Sequence, residues 1–244
     1  MKPVLVAGAL AFAVAAHGAQ AGDIIGGSSL LDHSAQSQLE RWLGAGQFNL
    51  NNIYTKQAGD TAVEFHSAAD GKGATFTLMK LVNTEGVAFL VGGYNPQSWS
   101  STDGWHTTYP DYERTGFLFN MTAPAVYRQV LSDYVLPSQG SRQTFNGIKY
   151  GPTFGTGHDL YLNETLDVGF SWQVTYGNPD DAGKSIVDRS LNGRTVRVEA
   201  LEIFTLSPVP EPAGYAMLLA GLAALGAAAR RPRRLRPSVF PVLK

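Results

Sequence analysis

Between about residue 34 and residue 206 the chain alternates short apolar segments with polar turns, and the helical and strand periods fall in different places. Ser34 to Gly44 carries the helical spacing. Leu39, Trp42 and Leu43 share one face, Ser34 is a candidate N-cap and Gly44 a stop signal. The segments that follow have period-two alternation or β-rich composition. They are Thr75–Val82, Val87–Gly92, Gly116–Met121, Asp159–Leu162, Phe170–Tyr176 and Thr195–Leu206. Turn dipeptides separate them: Asp70-Gly71, Glu85-Gly86, Asn95-Pro96, Asn146-Gly147, Asn178-Pro179 and Asn192-Gly193. No internal repeat is visible. The pattern predicts a mainly β domain with a few helices (α+β), arranged as a β-sandwich.

The two ends break this pattern with continuous apolar runs. Lys2 precedes the run Val4–Ala16, and Ala19-Gln20-Ala21 is a small-x-small cleavage site. A signal peptide is therefore expected over residues 1–21, its removal by signal peptidase leaving Gly22 first. At the other end Pro210-Glu211-Pro212 is followed by the apolar run Ala213–Ala229 and then by Arg230, Arg231, Arg233 and Arg234. Such a run is at the lower limit for a membrane-spanning helix, and the arginines belong on the cytoplasmic side. A plain membrane anchor would need only the run and the charges. The full order, with its proline–glutamate–proline start, resembles the PEP-CTERM sorting signal. That resemblance implies recognition by a membrane-embedded exosortase, cleavage near Pro210–Pro212 and a Gram-negative host, often one that makes exopolysaccharide. The expected layout is a signal peptide at 1–21, an exported domain at 22–209 with its core at about 34–206, a sorting signal at 210–236 with its span at 213–229, and a short tail at 237–244.

Composition narrows what the middle can do. Cysteine is absent, so disulfides, thiol catalysis and Cys-ligated zinc are excluded and stability rests on core burial. Residues 22–209 hold 12 basic and 19 acidic groups, a net charge near −7. A domain this acidic is a poor partner for nucleic acid.

Five segments in order carry a second resemblance. They are Glu64 to Thr75, Gly92-Gly93-Tyr94 with Ser98-Trp99, Gly116-Phe117-Leu118-Phe119, Tyr150 to Leu162, and Glu199 to Phe204. Together they resemble the motifs of TLDc domains across nearly the whole exported region. The resemblance implies a β-sandwich flanked by helices, in a family tied to oxidation resistance without a general catalytic mechanism. Ala69 stands where the first motif often has Cys, and export separates this chain from the intracellular partners of eukaryotic relatives.

Candidate chemistry is sparse. His66 with Asp70 and His158 with Asp159 are weak candidates for a His/carboxylate metal site, and His106 and Asp111 lie in a nearby loop. No G-x-S-x-G elbow is present, and Asp180-Asp181 reads as a solvated turn. Gly151 to Gly157 lacks the Lys-Ser/Thr of a phosphate loop and is expected to serve tight backbone turning. Trp105, Tyr109 and Tyr112 fall in one polar segment and are candidate ligand-binding aromatics, while Trp99 is expected in the core. No cofactor motif is found. The expectation is a non-enzymatic binding or interaction module at the envelope, with exopolysaccharide or an envelope protein as partner and the C-terminal span contacting the membrane. The alternatives are an envelope enzyme, metal-dependent or acting on polysaccharide, and protection against oxidants through the four methionines.

Overall fold

The computed structural model describes residues 22–102, 104–132, 137–209, 218 and 221–226. The expected signal peptide with Ala19 and Ala21, and the sorting residues Pro210, Glu211, Pro212, Arg230, Arg231, Arg233 and Arg234, lie outside this set. Residues 22–209 form one compact unit. In the C-terminal stretch Gly221–Gly226 is helical. No helix among the described residues is long and apolar enough to cross a membrane.

The domain is mainly β. Strands β1 (Ile24–Ile25), β2 (Phe48–Thr55), β3 (Thr75–Val82), β4 (Ala88–Asn95), β5 (Gly104–Thr107), β6 (Phe117–Asn120), β7 (Ala125–Arg128), β8 (Arg142–Asn146), β9 (Thr153–Phe154), β10 (Leu160–Leu162), β11 (Val168–Ser171) and β12 (Arg194–Pro208) join one hydrogen-bonded ladder. Its order is β5-β8-β9-β10-β11-β12-β3-β4-β6-β7. β2 pairs with β12 beside this path, and short β1 adds to β2 in parallel.

β12 is the spine, since it pairs with β11, β3 and β2. Strand β3 shows why its sequence is an almost unbroken apolar run. Phe76 and Leu78 enter one core with Leu39, Leu50, Phe117, Phe119 and Phe204, while Met79 and Leu81 enter the other. Both faces of the strand are buried, as the two-residue side-chain period requires. The second core joins Met79, Val91 and Leu118 to Phe154, Leu160 and Leu162, so β9 and β10 fold over β3, β4 and β6. Trp99 lies in this core as expected, edge-on to Phe65 and Phe154, with its indole N–H donating to Thr75 Oγ1 at 3.0 Å.

Strand ends moved where packing overrode turn propensity. β4 continues through Gly92 and Gly93 to Asn95, beyond the expected end at Gly92. These glycines make room for neighbours. A Cβ at Gly93 would stand 2.7 Å from Leu118 Cδ2 and from the Phe154 ring. The expected strand Phe170–Tyr176 is split. β11 ends at Ser171, because the amides of residues 174–176 turn away from the ladder to a buried carboxylate.

Helix α1 (His33–Leu43) occupies the predicted span and ends at Gly44, whose φ of 72° is the left-handed conformation glycine tolerates. Its cap is Asp32 rather than Ser34. Asp32 has extended backbone and accepts from the Ala35 amide at 2.8 Å, whereas Ser34 is already inside the first turn. Trp42 of α1 stacks on Phe119 at 5.8 Å. Helix α2 (Ala62–Ala69) was not assigned from the sequence, although its signal is there. Thr61 and Glu64 form a reciprocal capping box. Thr61→Ala is expected to lower stability by about 1 kcal/mol, read from chemical denaturation midpoints at constant m-value. Helix α3 (Pro137–Ser141) is a short turn before β8.

Candidate functional site: an aromatic row across the sheet

The sequence-predicted polar residues are placed, but not as a metal centre. His66 and Asp70 are one helical turn apart at the end of α2, with His66 Nδ1 2.7 Å from Asp70 Oδ1. The other ring nitrogen, Nε2, faces the carbonyls of Gly147 and Tyr150 at 2.9 and 3.0 Å, so it carries a proton and donates to them. The buried imidazole thus ties α2 to the turn after β8. His158 instead packs its half-buried ring against Tyr161, 4.7 Å between centroids, and burial lowers its pKa. Among the described residues no three His, Asp or Glu side chains converge as metal ligands.

Asp159 is fully enclosed. Its Oδ2 accepts from the amides of Val174, Thr175 and Tyr176 at 2.6, 2.8 and 2.9 Å. Its Oδ1 makes no hydrogen bond of normal geometry, although the Gly157 amide lies close enough to favour the charged form. Desolvation outweighs these donors and pushes the carboxyl up to about 7. A Cβ at Gly155, whose φ is +75°, would collide with Oδ1. Gly155 and Gly157 therefore wrap a carboxylate of the chain itself, while Gly151 gives close approach to Leu162 and Leu166.

The three candidate aromatics do not form one cluster. Trp105 is on β5, while Tyr109 precedes the following 3-10 turn (Asp111–Glu113) and Tyr112 lies within it, at 72% and 80% exposure. That loop is fixed from beneath by buried Arg114. Its guanidinium donates to the carbonyls of Thr108, Tyr109 and Val130 and pairs with Asp111, which in turn accepts from Ser132. His106 and Asp111 stay apart: His106 is a half-buried strand residue, and Asp111 is committed to Ser132 and Arg114.

Trp105 has other company. It lies directly opposite Phe145 of β8, with the ring centroids 4.9 Å apart. Following the antiparallel register from strand to strand gives a single cross-strand line: Trp105, Phe145, Thr153, Tyr161, Phe170 and Thr195. Thr153 is buried at its centre, and Tyr150 bridges that position, 4.7 Å from Phe145 and 6.0 Å from Tyr161. His158 touches the same rings, and Trp172 continues beyond Phe170 at 6.2 Å. Trp172 is exposed and the others are half-buried. The residues beside them on the strands, Leu160, Leu162 and Ser171, point inward. Four strand spacings of about 4.8 Å give the row a length of about 19 Å. Arg142 stands over the Trp105 ring at 5.2 Å. His158 holds a positive φ of 55° at this surface, a conformation that costs a non-glycine residue energy and that clusters at functional sites.

Sequence reasoning found only Trp105 and His158 of this surface. The remaining rings come from separate segments, and only the register aligns them. The signal available was an aromatic flanked by inward positions, as in Leu160-Tyr161-Leu162.

At the C-terminus β12 ends at Pro208, still paired with Phe48. Residues 208–234 match the model of the PEP-CTERM protein-sorting motif. The sorting motif therefore begins where the sheet stops. It implies exosortase-dependent processing, export and association with the cell envelope of a Gram-negative bacterium. A comparison with curated proteins finds no match.

Proposed function

We propose that the chain is an exported, non-enzymatic binding module: a TLDc-like β-sandwich delivered to the envelope by signal peptidase and exosortase, with the aromatic row as its ligand surface. The sorting motif followed directly on the sheet carries the envelope assignment. The row carries the binding assignment, because aligned, accessible rings on a rigid sheet contribute contact area with little entropy to lose. The buried polar groups His66 and Asp159 are committed to structural partners. His66 serves Asp70 and two carbonyls, and Asp159 serves three amides. The five-motif TLDc resemblance fits a mainly antiparallel domain with few helices. Trp99 and Phe117–Phe119 of those motifs are core residues here.

Intact-mass measurement of the mature protein in membrane and medium fractions tests the delivery half of this reading. The expected species begins at Gly22 and ends near Pro210–Pro212. A product that begins at Met1 or retains Lys244 would contradict it.

A further inference from the structure

Charge is unevenly used on this domain. Although its net charge is near −7, most of its cations are taken up in ion pairs, including Lys56, Lys80, Lys184, Arg189, Arg194 and Arg197. Arg142 and Lys149 are exposed and, like Arg41, Lys72 and Arg128, make no ion pair among the described residues; these two are the ones beside the aromatic row. Both adjoin the half of the row that runs from Trp105 to its centre. Arg142 stands over Trp105, and Lys149 immediately precedes Tyr150. Glu164 acts on Tyr161, on the far side of Tyr150 from Trp105, and raises its pKa.

We infer that the Trp105–Tyr150 half of the row binds an acidic polysaccharide, its sugar rings on Trp105, Phe145 and Tyr150 and its carboxylates on Arg142 and Lys149; this rests on the binding-module reading above. Three observations carry it. Trp105, Phe145 and Tyr150 stand edge to face, at 68° and 72°, so together they offer ring faces and edges to the apolar C–H groups of sugar rings, and Tyr and Trp add polar edges for the hydroxyls. Two cations without an ion pair among the described residues, beside those rings on a domain of net charge near −7, complement a ligand whose negative charges recur along its length. The Arg142 guanidinium, stacked over Trp105 but in no ion pair among the described residues, offers a fork of N–H donors to a carboxylate. A row of about 19 Å on an open face suits an extended polymer better than an enclosed small molecule.

The test uses the full chain in mild detergent, tethered through a C-terminal tag, with polygalacturonate oligomers and a neutral glucan of equal length as probes. The polyuronate is expected to bind at least ~10-fold more tightly at low salt, an advantage that shrinks as salt rises. The double variant Arg142→Gln/Lys149→Gln replaces two exposed side chains. It should melt like the parent, lose ~10-fold on the polyuronate and keep its neutral-glucan binding. Trp105→Ala should weaken both ligands. Equal binding of the two polymers overturns the acidic specificity while leaving the binding module standing. Binding of neither polymer overturns the inference, and a dimer that Trp105→Ala dissolves would assign the row to self-association instead. New reducing ends released from bound polyuronate would overturn the non-enzymatic reading while the acidic specificity stands.

Discussion

Asp159→Ala is expected to lower the unfolding free energy by about 3 kcal/mol or more, because it strands the amides of Val174, Thr175 and Tyr176 in the interior. Asp159→Asn keeps one acceptor oxygen and should retain much of that stability. The pair of variants also separates packing from charge. In the folded chain the carboxyl titrates at about 7, held up by burial, whereas in the unfolded chain an aspartate titrates near 4. The sign follows from linkage. The folded state favours the protonated form, so the contribution is complete below about pH 4 and is lost as pH rises through about 7. The expected change across that window is on the order of 4 kcal/mol at most. Other carboxylates, such as Asp188 and Asp111, have lowered pKa values and act in the opposite sense. The decisive quantity is therefore the difference between parent and Asp159→Asn, followed by urea unfolding from pH 4.5 to pH 8. Parallel stability curves for the two proteins would show that Asp159 does not titrate in this window.

Arg114→Met should cost about 3 kcal/mol or more and should also release the loop that carries Tyr109 and Tyr112. The guanidinium is fully buried and is the common donor to three carbonyls contributed by two segments. Methionine fills much of the volume but leaves those carbonyls and Asp111 without their cation. Hydrogen exchange gives a readout beyond stability. The amides of Glu113, Arg114 and Ser132, bonded to Pro110, to Asp111 and to the Asp111 carboxylate, should exchange faster in the variant than in the parent. Unchanged protection at these three amides would mean that the loop is organised by something other than Arg114. Because Tyr109 and Tyr112 make no part of the aromatic row, polysaccharide binding by a folded Arg114→Met protein should persist.

The row and the two buried polar anchors were differently legible. Trp105 was conspicuous because it lies in a polar segment with other aromatics. Phe145 and Phe170 were not, since a lone aromatic in a short strand reads equally well as core. Asp159 was singled out beside His158, yet the two side chains go opposite ways. His158 joins the surface rings and Asp159 the interior. Both lie in the turn before β10, where the positive φ of His158 reverses the backbone between them, so neighbours in sequence are poor evidence for a shared site. Arg114 gave no local signal, since its partners Thr108, Tyr109 and Val130 are set by where two loops meet.

By itself the sequence determined the sorting motif, the cysteine-free chemistry, the acidic balance, the helix ending at Gly44 and most of the central strands. These depend on local order, composition or a short period, all of which are written along the chain. Only the tertiary structure decided which aromatics form a surface, which carboxylate is buried and which cations are left unpaired. The register of β5, β8, β9, β10 and β11 brings together residues from 105 to 170, and a one-residue slip in any pair would turn that strand's rings inward. The long-range pairing that fixes this register is set by the shared core of Phe154, Leu160 and Met79, and no short stretch of sequence contains it.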